Sequence, residues 1–247
     1  MEDRYTYYSS FSESGRALGT SEYDKIHFHK RNPQNDQLAF EDICYKCPNL
    51  KKRKGLNVLD VGPGCTSLQR LISSLCKEQE HTLYLADCPE MLSHISDDSH
   101  IKKYPGFFPD ATFEAIKKDS GGVDVIICNS VFVYDSAAYD ICRFADCVMQ
   151  LLNIGGNAII GDCTNISKKK RFYASQTGKS LLENLRKIAR AIPDPVFNVP
   201  EYGELDDTIL ESVVKRCRSF GFEAYLVPQP EGLAMWWERE DILIRKI

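Results

Sequence analysis

The sequence predicts an α/β domain built on a mostly parallel sheet with helices on both faces. Three observations lead there. From residue 56 onward, short apolar runs alternate with stretches of helical period. The first of those runs breaks into a glycine-rich turn. The chain closes on two strand-like runs joined by a loop of about a dozen residues without a helix, which makes that pair antiparallel. A length of 247 residues suits one large α/β domain, or a core with a small cap.

Each element has its own signal. Residues 1–55 are polar and aromatic, with one predicted helix over Pro33–Tyr45, and read as an N-terminal cap segment. Leu56–Val61 is a short apolar strand. Ser67–Lys77 follows as a helix, with Leu68, Leu71, Ile72 and Leu75 on one face. Thr82–Ala86, Ile101–Tyr104 and Val123–Cys128 are the next strands, and Tyr139–Leu152 is an amphipathic helix. Gly155-Gly156 then turns into a fifth strand, Asn157–Gly161. The alternation predicts crossover connections and a parallel sheet over residues 56–247. Residues 166–207 interrupt it. They are polar, punctuated by Pro193, Pro195 and Pro200, with one clear helix over Lys179–Ala191, and read as a lid insertion. Helix Asp207–Phe220 and strands Phe222–Val227 and Asp241–Lys246 complete the pattern.

Composition narrows the class. A net charge of −4 argues against a life on nucleic acid or anionic membrane. No apolar run has the length of a membrane span, and the N-terminus lacks a signal-peptide pattern. The ten cysteines then read as reduced thiols of a cytoplasmic protein.

The chemistry-bearing residues sit at strand ends. In Asn57-Val58-Leu59-Asp60-Val61-Gly62-Pro63-Gly64, Gly62 and Gly64 let the backbone pass close to a ligand, and Asp60 stands at the strand's carboxyl end. Asp87, ending the second strand, can hold a ribose through two hydroxyls. A dinucleotide fingerprint needs a further glycine where Ser67 stands, and Asp60 would sit badly near a pyrophosphate. The acid suits a sulfonium cation with a free amino group.

These residues resemble those of class I S-adenosylmethionine-dependent methyltransferases. Val58–Gly64 is similar to that family's first motif. Asp87, Asn129-Ser130 and Leu152-Asn153-Ile154-Gly155-Gly156 stand at its later motif positions. The resemblance covers residues 56–162 and the terminal strand pair. It implies a Rossmann-like, seven-stranded sheet of order 3-2-1-4-5-7-6 with the last strand antiparallel, and S-adenosyl-L-methionine as cofactor. The implied cofactor contacts are Asp60, Gly62, Pro63, Gly64, Asp87, Cys88, Phe107, Phe108, Asn129 and Ser130. Phe107 or Phe108 falls where the family packs adenine, although adjacent phenylalanines equally fit a core. Thr66 replaces a frequent third glycine.

Methyl transfer is an in-line displacement, for which alignment can supply on the order of 7–11 kcal/mol. A hydroxyl acceptor also wants a base, and the candidates are His27, His29, Asp135 and Asp162. Tyr23, Asp135, Arg171 and Tyr173 are candidate acceptor contacts. Lys168-Lys169-Lys170-Arg171 follows the fifth strand on the ligand side, where it reads either as a solvated loop or as a receptor for a phosphate or carboxylate. No catechol-type metal pair is present, since Cys163 follows Asp162. His27, His29, Cys44 and Cys47 make an atypical zinc set, and no metal is expected. No proline pair follows Asn129-Ser130, unlike base methyltransferases. Residues 166–172 and 221–230 are also similar to bacterial methyltransferases of surface-glycan and capsule biosynthesis. The favoured acceptor is therefore a small anionic metabolite or glycan precursor, methylated on oxygen. The alternatives are RNA or protein methylation, or a non-catalytic cofactor-binding subunit.

Overall fold

The computed structural model describes residues 6–28, 31–132, 141–188, 192–199 and 203–247. Seven strands form one sheet: β1 (Asn57–Val61), β2 (Thr82–Asp87), β3 (Ile101–Pro105), β4 (Val123–Asn129), β5 (Leu152–Thr164), β6 (Glu223–Pro228) and β7 (Arg239–Arg245). Their order is β3-β2-β1-β4-β5-β7-β6, and β7 runs antiparallel to both its neighbours. The order expected from the resemblance is the one found.

The sheet is buried on both faces because successive side chains of its central strands point to opposite sides and are apolar on each. Leu59 and Ile126 face one layer, with Phe144 and Val148 of α8 (Ile141–Leu151) and Leu210 and Val213 of α11 (Asp207–Ser219). Val58, Leu83 and Ile127 face the other, with Ile43 of α3 (Pro33–Lys46) and Ile72 of α5 (Ser67–Glu78). Fully burying one such aliphatic side chain is worth about 1.5–3 kcal/mol, so the two layers hold the strand ends rigidly.

Helix starts follow local capping. Asn32 accepts from the Asn35 amide, and Pro33 occupies the first turn of α3. Asp206 caps α11 in the same way. The start of the helix predicted from Tyr139 and the end predicted at Ala191 lie outside the described residues.

Three expectations change. Among its described residues the N-terminal segment carries four helices where one was expected: α1 (Thr6–Arg16), α2 (Glu22–Lys25), α3 and α4 (Asn49–Lys52). Two of these have only four residues, too short to show a period. The insertion carries two helices, α9 (Ile166–Ala174) and α10 (Gln176–Ile188), not one starting at Lys179. The basic run is thus helical rather than a loop. Asn165 caps it, and Lys and Arg are good helix formers. Finally, β5 begins at Leu152, because Leu152 pairs with Val123 and the Gly155-Gly156 stretch bulges before Asn157 rejoins β4 at Val125. Among the described residues, no helix is long and apolar enough to cross a membrane.

Candidate functional site

The parallel register sets the carboxyl ends of β1, β2 and β4 side by side. Asp60 pairs with Leu85 and Val61 with Ala86 and Cys128, so the residues just beyond these strands meet in one cleft. It encloses about 1050 Å³ of space, partly open to solvent, and Asp60, Gly62, Pro63, Gly64, Asp87, Phe107, Phe108, Asn129 and Ser130 all line it. Gly62 and Gly64 adopt left-handed φ of 67° and 61°. A Cβ on Gly62 would stand 2.7 Å from Val131 Cγ2, and one on Gly64 3.0 Å from Ile26 Cγ2. The turn therefore requires glycine on both conformational and steric grounds.

Asp60 is 3% exposed, and Asp87 is held by two amides: Gly64 N–H donates to Oδ2 at 3.2 Å and Cys88 N–H to Oδ1 at 2.7 Å. Burial, and then the neighbouring Asp87 charge, push the Asp60 carboxyl up to about 8. Burial pushes Asp87 up to about 6, against the downward pull of its amide donors. Among the described residues neither acid forms an ion pair. A buried Asp60 and a part-exposed Asp87, without a protein cation beside them among the described residues, match a ligand bearing positive charge and hydroxyl donors.

Phe107 is half-buried at the wall. Phe108 is a core residue that also shows an edge to the cleft, with its ring 5.2 Å from Phe144 and 6.5 Å from Phe113. Cys88 does not line the cleft; it packs with Cys65 and Met91 behind it. Burial pushes its thiol up to about 12, leaving it a packing residue.

The N-terminal segment folds over this cleft and contributes Phe11, Ile26, Phe28 and Arg31 to its wall. It is fastened at several points. The buried Lys25 ammonium donates to the Gly15 and Ala17 carbonyls at 3.1 and 2.7 Å. Tyr23 Oη donates to Asp36 at 3.2 Å and lies 3.1 Å from Ser67 Oγ, and Glu22 pairs with Arg70 at 2.8 Å. Tyr23 is thus an anchor of the segment rather than part of the cleft wall. His27, in a left-handed conformation (φ 55°), stacks on Phe11 at 4.8 Å and meets Ser14 Oγ at 2.5 Å; it does not line the cleft. His29 and Asp135 lie outside the described residues.

Asp162 stands near the end of β5, joined to the cleft wall through Ser130. Opposite β7, β5 carries one extra residue between Ile160 and Cys163, a bulge that puts Asp162 in a left-handed conformation (φ 59°). Its N–H donates to Asp241 Oδ1 at 2.8 Å. Its Oδ2 accepts from Ser130 Oγ at 2.7 Å and Arg31 Nη2 at 3.1 Å, and its Oδ1 from Gln229 Nε2 at 3.3 Å. Asp241 in turn pairs with Lys46 at 2.6 Å, which also holds Asp42 at 2.5 Å. Asp162, Arg31, Asn35, Asp42, Asn129 and Gln229 line a second, much narrower pocket that is partly open to solvent, and Arg31 and Asn129 belong to both. The sequence reading missed Arg31, Lys46, Gln229 and Asp241. Only the Asp42–Lys46 pair, four residues apart on α3, is local; the contacts of Arg31 with Asp162 and of Lys46 with Asp241 join residues far apart in the chain.

Residues of the insertion stand elsewhere. Arg171 makes a two-pronged ion pair with Asp207, Lys169 pairs with Glu238 at 3.0 Å, and Lys168 donates to the Arg239 carbonyl at 2.7 Å. Tyr173 is buried, and the neighbouring Phe172 stacks on Trp237 at 5.6 Å. No described residue of 166–207 lines either cavity. Cys44 and Cys47 are buried in the core facing α5, and among the described residues no group of three or more His, Cys, Asp or Glu could hold a metal.

No family model matches the sequence, and no curated protein matches it. Solved structures do. The plantazolicin methyltransferase BpumL in complex with SAH superposes with a TM-score of 0.57 at 11% identity, covering 98% of this chain and 96% of that one. The N-methyltransferase NodS from Bradyrhizobium japonicum WM9, in complex with S-adenosyl-L-homocysteine (SAH), gives 0.54 at 13% identity, covering 97% of each chain. The plantazolicin methyltransferase BamL, with SAH and a triazolic desmethylPZN analog, gives 0.54 at 11%, covering 98% and 97%. At such identities the likeness is one of fold, and the fold of this chain is the Rossmann-like fold of class I methyltransferases.

Proposed function

We propose that the protein is an S-adenosylmethionine-dependent methyltransferase acting on a small-molecule acceptor. The observation that carries this reading is the pair of Asp60, buried, and Asp87, part-exposed in the cleft, set beside a glycine turn with no protein cation next to them among the described residues. S-adenosylmethionine fits that donor set through its positive charge and ribose hydroxyls. When bound, it supplies a methyl group on an activated sulfonium. Asp87 would hold the ribose, Asp60 would face the positively charged end, Gly62 to Gly64 would let the backbone approach, and Phe107 would flank the adenine.

The acceptor reaches the site between the carboxyl ends of β4 and β5. Asp162 there is the described acid best placed to accept a proton from a hydroxyl acceptor, since Ser130 joins it to the cleft wall. His27 is turned toward Ser14 and serves the segment's packing. Within this reading we place the acceptor among small anionic metabolites or surface-glycan precursors, following the resemblance of residues 166–172 and 221–230. The anion contact moves from Arg171, which is paired with Asp207, to Arg31. Ten free thiols suit the reducing cytoplasm.

Isothermal titration with S-adenosylhomocysteine tests the reading. Saturable binding is expected; tight NAD binding without any to the adenosyl ligand would overturn it.

A further inference from the structure

Arg31 forms the wall between the two cavities, and its side chain is only 10% exposed. Its Nη2 is committed, donating to Ser130 Oγ at 2.6 Å and to Asp162 Oδ2 at 3.1 Å. The guanidinium also lies over the Phe28 ring, 4.9 Å from its centroid. Nε and Nη1 have no hydrogen-bond partner among the described residues. A planar guanidinium, held from one nitrogen and braced by an aromatic face, presents its remaining donors in a fixed orientation. That arrangement favours a two-oxygen group such as a carboxylate or phosphoryl.

A second observation stands beside it. Gln229, 7% exposed, lines the smaller cavity, and its Oε1 is buried without a hydrogen-bond partner. Leaving a buried amide oxygen unpaired is costly, so it too is set for a donor that the described residues do not supply.

We infer that Arg31 is the specificity-determining residue for the acceptor. It takes a carboxylate or phosphoryl group at the junction of the two cavities, while Gln229 accepts from a neighbouring O–H or N–H of the same molecule. This rests on the methyltransferase reading and names its acceptor class: an oxyanion beside a hydrogen-bond donor. Asp162 is then the internal competitor for Arg31, and the bound anion displaces it as the partner of the guanidinium.

That competition gives the test its sign. Protein saturated with S-adenosylhomocysteine is titrated with inorganic phosphate and with acetate, using acetamide as the neutral control. Binding is followed by calorimetry and by the rise in melting temperature. Wild type should bind both anions and ignore acetamide. Arg31→Gln should lose tenfold or more in anion affinity, Arg31→Lys should recover only part of it, and Asp162→Asn should bind the anions several-fold more tightly. S-adenosylhomocysteine should still bind each variant. If Arg31 is only a clamp for the N-terminal segment, Arg31→Gln and Asp162→Asn will behave alike: both will lower the melting temperature and weaken the adenosyl ligand without a selective effect on anions. That result overturns the inference, as does wild type that binds S-adenosylhomocysteine but neither anion. Failure of wild type to bind S-adenosylhomocysteine instead removes the methyltransferase reading, and this inference with it.

Discussion

The carboxyl edge of the sheet carries buried aspartates at two places, and their surroundings are opposite. At the ends of β1 and β2, Asp60 and Asp87 stand close together, with the Gly64 and Cys88 amides, the Cys88 thiol and each other as polar neighbours. At the bulge of β5, at the start of β7 and on α3, Asp162, Asp241 and Asp42 are interleaved with Arg31, Lys46 and Gln229 in one continuous network. The first group is left short of positive charge by the fold and the second is almost fully matched. Burial of an acid therefore does not by itself mark a binding site. The missing counter-charge does, because desolvating a carboxylate is tolerated only when something compensates it.

The sharpest way to break the comparison is to unmatch the matched side. Lys46→Met leaves Asp241 and Asp42 buried without their cation, and should cost about 3–5 kcal/mol of stability in urea denaturation. An unchanged midpoint would mean that the network holds nothing together. On the unmatched side the loss should appear in ligand affinity instead. Asp87→Ala should weaken S-adenosylhomocysteine by about 1.5–3 kcal/mol in calorimetry, with little change in the stability of the ligand-free protein.

A third effect is the pH dependence of Asp60. Its folded value of about 8 lies above the ordinary 3.8 of the unfolded chain. The folded state thus binds the extra proton between those values. Its contribution to stability is full below about pH 4 and is lost as pH rises through about 8. Asp60→Asn removes that dependence. The stability of ligand-free wild type relative to the variant should therefore fall steadily from pH 4 to 8. A cationic ligand should expel the proton, so buffers of different ionisation enthalpy should report proton release on S-adenosylmethionine binding. A flat difference profile would mean that Asp60 is solvated. The smallest effect belongs to the exposed pair on the insertion. Arg171→Ala should cost less than about 1 kcal/mol of stability and leave S-adenosylhomocysteine binding unchanged.

Much of this was legible in the sequence, and the reason is locality. The strands announce themselves by apolar runs a few residues long, α5 and α8 by their period, and the turn at Gly62 and Gly64 by residues that alone tolerate positive φ without a clash. Asp60 and Asp87 are found by counting from strand ends, because a parallel sheet delivers those ends to one edge. Even the strand order followed, since the resemblance rests on motifs distributed along that edge.

Tertiary structure decided the rest. Arg31 meets Asp162 across 131 positions of sequence, and only after the N-terminal segment has folded over the cleft and a one-residue bulge has turned the aspartate toward it. Separation in sequence also hid the pairing of Lys46 with Asp241, 195 positions away, and of Arg171 with Asp207, 36 positions away. His27 looked like a base until its ring stacked on Phe11. Periodicity and turn chemistry are properties of neighbours along the chain, and so the sequence by itself determined the sheet and the glycine turn. Which charge meets which depends on register, bulges and the packing of distant segments, and those exist only once the chain has folded.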